Sequence, residues 1–343
     1  MSKNLFLKKN LPFIIAEIGH NHQGSMDTAR KMFLAAKQAG ASAVKLQTRS
    51  NKDLFTKNFF NSTYDNKNSY AETYGQHREF LEFGKKEYLE LIDYAKEIEI
   101  IFFSTPFDLN SVEFLSNLEM PYYKIASADL INLPLQKEVA KIGKPMFLST
   151  GGGTMDDVKR AVDTIMPINS NLSILHCTAS YPVAAEDMNL NCITTLIKEF
   201  PDNIIGLSDH ESGIEAASVA YMLGARIFEK HFTLNRSWKG TDQSFSLEPA
   251  GLQKLVRNIN RIPKFLGDSE KKLLEVEKKP LFKMQKSIVA ASLLKKGKVI
   301  EYEDLSFKSP GGGLKPYQSD TVINKKLKKE VQEDEFILTE DLE

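Results

Sequence analysis

Eight short runs of β-branched and aromatic residues recur along the first two thirds of the chain, and longer helical patterns separate them. The runs fall at 13–18, 43–47, 100–104, 122–125, 145–149, 172–177, 204–208 and 227–231. Between the first two, residues 25–40 place Ala29, Met32, Phe33 and Ala36 on one helical face, with Gly40 as a stop. Similar patterns occupy 86–98, 155–165, 190–199 and 213–224. Strands that alternate with helices build parallel βαβ units. Eight such units predict an α/β fold closed as a (β/α)8 TIM barrel. A doubly wound open sheet is the alternative, but it more often carries a Gly-rich dinucleotide turn. Neither GxGxxG nor GxxxxGK[ST] occurs, so nucleotide cofactors are not indicated.

In a closed barrel the carboxyl ends of the strands converge on one face, where such folds place their chemistry. His210 follows the seventh run by two residues and His231 ends the eighth, and two imidazoles on adjacent strand ends could share a metal. Two hydrogen-bonded structural histidines would be the plainer reading, but the other strand ends favour a site. They supply Glu17, Lys45 with Gln47, Thr105, Lys124 with Ser127 and Asp129, Ser149 with Thr150, and Ser208. Two lysines aimed into one mouth repel each other. A shared anion such as a phosphate explains them best, with the hydroxyls of Thr105, Ser149 and Ser208 completing its hydrogen bonds. A Schiff-base lysine competes with this role, because a neighbouring cation and desolvation both depress a lysine pKa.

Composition narrows the class. Lys plus Arg and Asp plus Glu each total 45, so no net field favours nucleic acid or an anionic membrane. Two cysteines, Cys177 and Cys192, form neither a CxxC pair nor a disulfide framework, which fits a reducing cytosol. Residues 1–9 lack the apolar core of a signal peptide, and no apolar run approaches the roughly 20 residues of a membrane-spanning helix. A soluble, cytoplasmic protein is expected.

Two segments break the alternation. The stretch 49–83, rich in Asn, Tyr and Lys, follows the second strand and is long enough to cover the barrel mouth. The barrel domain is expected to span 1–268, a charged linker 269–285, and a small β domain 286–343. Within that last domain, residues 297–305 (GKVIEYEDL) echo 334–342 (DEFILTEDL), which suggests a pseudo-symmetric fold. The segment 309–313 (SPGGG) between the copies reads as a turn.

The motifs at 16–24 (AEIGHNHQG), 44–48 (VKLQT), 103–107 (FSTPF) and 123–127 (YKIAS) resemble those of the sialic acid synthase family. So do 148–151 (LSTG), 176–182 (HCTASYP), 206–210 (GLSDH) and 229–233 (EKHFT). The resemblance covers nearly the whole chain and includes a C-terminal antifreeze-like (SAF) domain. It implies a transferase that condenses phosphoenolpyruvate with N-acetylmannosamine, or a related sugar, to a nine-carbon 2-keto acid and phosphate. It also implies a divalent metal, Mn2+ or Mg2+, on His210 and His231. Lys45, Thr105, Lys124, Ser149 and Ser208 would hold phosphoenolpyruvate, and Glu17, Gln47, Tyr181 and Asp242 would contact the amino sugar. Glu17 would position the sugar or shuttle a proton. Asp129 stands where many bacterial members carry Glu. His20, His22 and His77 match no metal role and read as structural or loop residues.

The resemblance further implies a domain-swapped homodimer in which the SAF domain covers the partner's barrel. Many bacterial members reach the sugar with an Arg-Pro-Gly arginine there, where this chain has Ser309-Pro310-Gly311. The segments 74–83 and 238–249 look closer to animal-type enzymes that use the 6-phosphorylated sugar. Free N-acetylmannosamine is placed ahead of its 6-phosphate, with legionaminate- and pseudaminate-type substrates behind them. Outside the family, a metal-independent Schiff-base aldolase and a non-catalytic carbohydrate- or ice-binding protein are the remaining readings.

Overall fold

The structure is a computed structural model that describes residues 12–343. The stretch 1–9, read above for a signal peptide, lies outside them. The described chain divides into two compact units, with the break between Leu266 and Gly267.

In the first unit eight parallel strands close into a barrel in chain order. They are β1 (Phe13–Gly19), β2 (Ala43–Thr48), β3 (Ile101–Pro106), β4 (Tyr123–Ile125), β5 (Met146–Ser149), β6 (Leu172–Cys177), β7 (Ile204–Asp209) and β8 (Ile227–His231). β1 pairs with both β2 and β8, which seals the ring and removes every strand edge. Alternate residues face opposite sides of each strand. One row, including Ile14, Ala16, Val44, Leu46 and Phe102, packs with the surrounding helices. Helix Met26–Ala39 shows how they dock. Ser25 accepts a bond from the Thr28 amide, Gly40 ends the helix at φ 89°, and Ala29, Met32, Phe33 and Ala36 are buried, as their spacing predicts.

The other row points into the barrel, and its chemistry changes along each strand. Phe13, Ile15, Ala43, Phe103, Phe147, Leu175, Ile204 and Ile227 form an apolar cluster near the amino ends. The next inward positions are Glu17, Lys45, Thr105, Ser149, Cys177, Ser208 and Glu229. The apolar layer supplies stability and the polar layer above it is available for function. At Gly206 a Cβ would lie 2.5 Å from both the Ile227 carbonyl oxygen and Leu175, so this inward position tolerates no side chain.

The insertion after β2 is ordered rather than a bare loop. It contains short helices at Asn51–Leu54, Lys57–Phe60 and Tyr74–Leu81, joined by ring contacts among Phe55, Phe59, Tyr64, Tyr74 and His77. It also bonds to the segment after β8: Tyr70 Oη donates to the Lys239 carbonyl (2.6 Å), and Gly240 N donates to Asn68 Oδ1 (3.3 Å).

The second unit has its own core, including Ile288, Leu294, Ile300, Val322, Val331 and Ile337. β9 (Ser287–Ala290) and β10 (Leu305–Lys308) pair antiparallel. The expected linker contains the helix Lys278–Met284, whose Phe282 carbonyl accepts from Gly311 N at 2.7 Å. The sequence echo is a repeated turn. Tyr302–Asp304 and Thr339–Asp341 are matching 3-10 turns, closed by Asp304 and Asp341 carboxylates on the amides of Glu301 (2.9 Å) and Leu338 (3.1 Å). No described helix is long and apolar enough to cross a membrane.

Candidate active site

At the carboxyl face, four buried ionisable side chains meet above the apolar layer. Lys45 Nζ lies 2.7 Å from Glu17 Oε2 and 3.6 Å from Glu229 Oε1, and donates to Thr105 Oγ1 at 2.8 Å. Lys124 Nζ lies 3.8 Å from Glu229 Oε2. None of the four is more than 5 % exposed. Glu17 and Glu229 thus offset part of the lysines' mutual repulsion within the protein, beside the shared anion that the sequence suggests. Sequence reading missed Glu229. Counting back by two from His231 along β8 would have placed it on the inward row.

Burial raises both carboxylates, and the unequal pull of the lysines drives them apart in proton affinity. Desolvation raises the Glu17 pKa more than Lys45 lowers it. Burial also pushes Glu229 up, but Lys124 and Lys45 together outweigh it and hold this carboxylate below its ordinary value. Desolvation lowers the Lys124 pKa. Two carboxylates in one pocket with opposite shifts suit different tasks: Glu229 stays ionised and Glu17 can hold a proton.

A cavity of about 700 Å³ opens above this layer. Its wall brings together Glu17, Lys45, Gln47, Thr105, Lys124, Ser127, Ser149, Tyr181, Ser208, His210, His231 and Asp242. Asp129 is not brought to that wall. It ends the 3-10 turn Ser127–Asp129, and its carboxylate accepts from Asn132 Nδ2 at 2.9 Å. Gln47 Nε2 donates to Glu17 Oε1 at 2.7 Å, and Ser127 Oγ accepts from Gly151 N at 3.0 Å. Ser149 Oγ is buried with no hydrogen-bond partner among the described residues, a costly state that a ligand oxygen would relieve. Arg49, Arg78 and Glu229 also line the wall and were not anticipated.

His210 and His231 stand with ring centroids 5.3 Å apart, flanked by Tyr181 and Phe245. His210 Nδ1 donates to the Thr178 carbonyl at 2.9 Å, which leaves Nε2 with the lone pair. Burial, then the neighbouring His231, lower the His210 pKa to about 3, so this ring is neutral. His231 Nδ1 is buried without a hydrogen-bond partner, the nearest carboxylate oxygen, from Asp242, being 3.6 Å away. His22 and His77 belong to the barrel rim and the insertion: His22 stacks on Phe83, and His77 Nδ1 accepts from Tyr70 N.

Residues 32–271 of this chain match the NeuB family, and residues 285–343 match the SAF domain. The chain belongs to the NeuB family. It is 39% identical to N-acetylneuraminate-9-phosphate synthase of Homo sapiens, over 96% of this chain and 92% of the human protein. It is 36% identical to N,N'-diacetyllegionaminic acid synthase of Campylobacter jejuni, over 96% of this chain and 99% of that one. The crystal structure of N-acetylneuraminic acid (sialic acid) synthetase from Leptospira borgpetersenii superposes with a TM-score of 0.69 at 34% identity. That match covers 79% of this chain and 90% of the other.

The donor set of this NeuB-family barrel fits a weakly caged divalent ion. Two imidazoles, one with its tautomer set by a backbone carbonyl and one with an unsatisfied ring nitrogen, are suitable ligands. Among the described residues no three His, Cys, Asp or Glu side chains gather into a cage. Water and substrate oxygens would complete the coordination.

Proposed function

We propose that this chain is a phosphoenolpyruvate-dependent nonulosonate synthase acting on an N-acetylated hexosamine such as N-acetylmannosamine. The reading rests on one observation above all: Lys45 and Lys124 both face Glu229 and line the same cavity as the histidine pair. The lysines bind the phosphate and carboxylate of phosphoenolpyruvate, with Thr105, Ser149 and Ser208 hydroxyls adding hydrogen bonds. The open-chain sugar presents its aldehyde toward His210 and His231. A divalent ion, Mn2+ or Mg2+, when bound there supplies polarisation of the aldehyde oxygen.

Carbon 3 of phosphoenolpyruvate attacks the aldehyde carbon, forming the new carbon–carbon bond and leaving positive charge on carbon 2. Water adds to carbon 2, and the tetrahedral species expels inorganic phosphate to leave the 2-keto acid. Glu17, with its raised proton affinity and its bond from Gln47, delivers a proton to the developing alkoxide and recovers one from the water that adds to carbon 2. Glu229 holds both lysines in place and remains ionised.

The sugar also meets Tyr181 and Asp242 on the wall. We further propose a homodimer in which the SAF unit of one chain completes the barrel mouth of the other. Phosphate release from phosphoenolpyruvate, measured with manganese and N-acetylmannosamine or its 6-phosphate, tests the reading. Release that depends on the sugar and stops with chelator supports it. Trapping of a pyruvate Schiff base by borohydride in chelator would replace it with an aldolase.

A further inference from the structure

The proposed reaction needs the Glu17 carboxyl to present an oxygen in a fixed direction, yet the last torsion of a glutamate is a broad, two-fold rotor. Its plane is therefore set by the groups that meet its two oxygens. Oε2 faces Lys45 Nζ at 2.7 Å, and Oε1 accepts from Gln47 Nε2 at 2.7 Å. Both partners come from β2, two residues apart and so on the same face of that strand.

The strand pairing makes room for this arrangement. The β1–β2 register slips between Glu17 and Gly19, where two steps along β1 match one along β2. Such an irregularity re-aims side chains. Gly19 closes the space beside the Gln47–Glu17 bond. A Cβ there would lie 3.2 Å from both Gln47 Nε2 and Glu17 Oε1, and its φ of 51° is a left-handed conformation that favours glycine.

Gln47 could still defeat the arrangement. An amide has a donor end and an acceptor end of nearly equal size, and a half-turn about its last torsion exchanges them. Reversed, Gln47 would set its oxygen against Glu17 Oε1 and leave the carboxyl held at Oε2 alone. Arg49, the first residue after β2, forbids that half-turn. Its Nη2 donates to Gln47 Oε1 at 2.7 Å. A guanidinium has five donors and no acceptor, so only the oxygen of the amide can face it.

Arg49 is itself held in place. Its guanidinium stacks 3.8 Å from the centroid of the Phe107 ring, and Nη1 lies 3.7 Å from Glu82 Oε1. Its backbone amide donates to Glu82 Oε2 at 3.1 Å. With the side chain only 8 % exposed, packing fixes the plane of the fork.

We propose that Arg49 is a positioning residue for the condensation: it dictates which way round the Gln47 amide sits, and through Gln47 it fixes the plane of the Glu17 carboxyl. This rests on the synthase reading above. The contacts run from Phe107 and Glu82 through Arg49 and Gln47 to Glu17, and the role needs no contact between Arg49 and either substrate.

The test uses the full-length protein with phosphoenolpyruvate, N-acetylmannosamine and manganese. Arg49→Gln, whose amide can donate or accept, should lower kcat by about 10- to 100-fold, the value of one hydrogen bond to a charged group. The KM for phosphoenolpyruvate should stay within about 2-fold, because Lys45 and Lys124 are untouched. Arg49→Lys, which can only donate, should recover much of the loss, and circular dichroism should show both variants folded. In a Gln47→Ala background the further change Arg49→Gln should cost less than about 2-fold, because the route to Glu17 is already cut. An unchanged kcat in Arg49→Gln overturns the proposal, and so does an equal loss with and without Gln47, which would mean that Arg49 acts on another group. A KM for phosphoenolpyruvate that rises as kcat falls would also overturn it, as a general disturbance of the floor. Each of these leaves the synthase reading intact. No phosphate release by the wild type with N-acetylmannosamine or its 6-phosphate overturns that reading and this inference with it.

Discussion

Glu229→Gln is the most searching perturbation of the barrel floor. It keeps the side-chain shape and removes the one charge that faces both lysines. At an effective dielectric of about 20, unit charges at the observed 3.6 and 3.8 Å attract by roughly 4–5 kcal/mol apiece, before desolvation is subtracted. Leaving a buried charge without its partner costs about 3–5 kcal/mol net. Lys124 would bear most of that cost, because Glu17 lies 2.7 Å from Lys45 and still faces it. For a barrel of this size the loss corresponds to a fall in Tm of roughly 10 °C. Phosphoenolpyruvate brings the missing negative charge with it, so its addition should raise Tm more in the variant than in wild type. Differential scanning calorimetry with and without phosphoenolpyruvate reads both effects. A variant as stable as wild type, or one that gains no more from the ligand, would refute the charge accounting at the floor.

Other expectations follow from the same geometry. The Glu82 carboxyl is raised from 4.5 to about 7 by burial, so its contribution to stability is fully present below pH 4.5 and is lost as pH rises through 7. The stability of Glu82→Gln relative to wild type should accordingly grow by about 3 kcal/mol between pH 4.5 and 8, as read by urea titration, and a flat difference would contradict the shift. His210→Ala should cut turnover at least about 100-fold with unchanged circular dichroism, and chelator should silence the wild type reversibly. Deleting 286–343 should weaken dimerisation in light scattering and remove most activity. Metal binding at the histidine pair, followed by calorimetry, should survive; a fully active monomeric truncation would show that the SAF unit is dispensable.

The barrel was legible because a parallel strand buried on both faces must be short, apolar and followed by a helix, and that rhythm is visible in one dimension. His210, His231, Lys45 and Lys124 were legible because polar residues at the ends of such strands need a reason. Glu229 was hidden by its neighbour. In 229–231 (EKH) two adjacent charges look like a solvated strand end, yet the pleat turns Glu229 inward. It turns Lys230 outward into a buried pair with Asp209 (2.6 Å) and onto the Glu211 carbonyl. The turn after β4 rotated Asp129 off the wall while leaving Ser127 on it, a difference that residue spacing does not encode. Arg49 and Arg78 lay in the insertion, whose order comes from contacts among its aromatic side chains rather than from any periodicity.

The ordered insertion has an evolutionary corollary. The reacting groups descend from strands whose every neighbour is another strand, so a change there propagates around the ring. Arg78 belongs to an excursion held by its own aromatic contacts, by bonds to the segment after β8 and by bonds to His20 and Gln23 after β1. It is not insulated from the floor, because Arg49 Nη2 donates to Gln47 Oε1 and Gln47 Nε2 donates to Glu17 Oε1, so exchanging the excursion between lineages would reset the surroundings of Glu17.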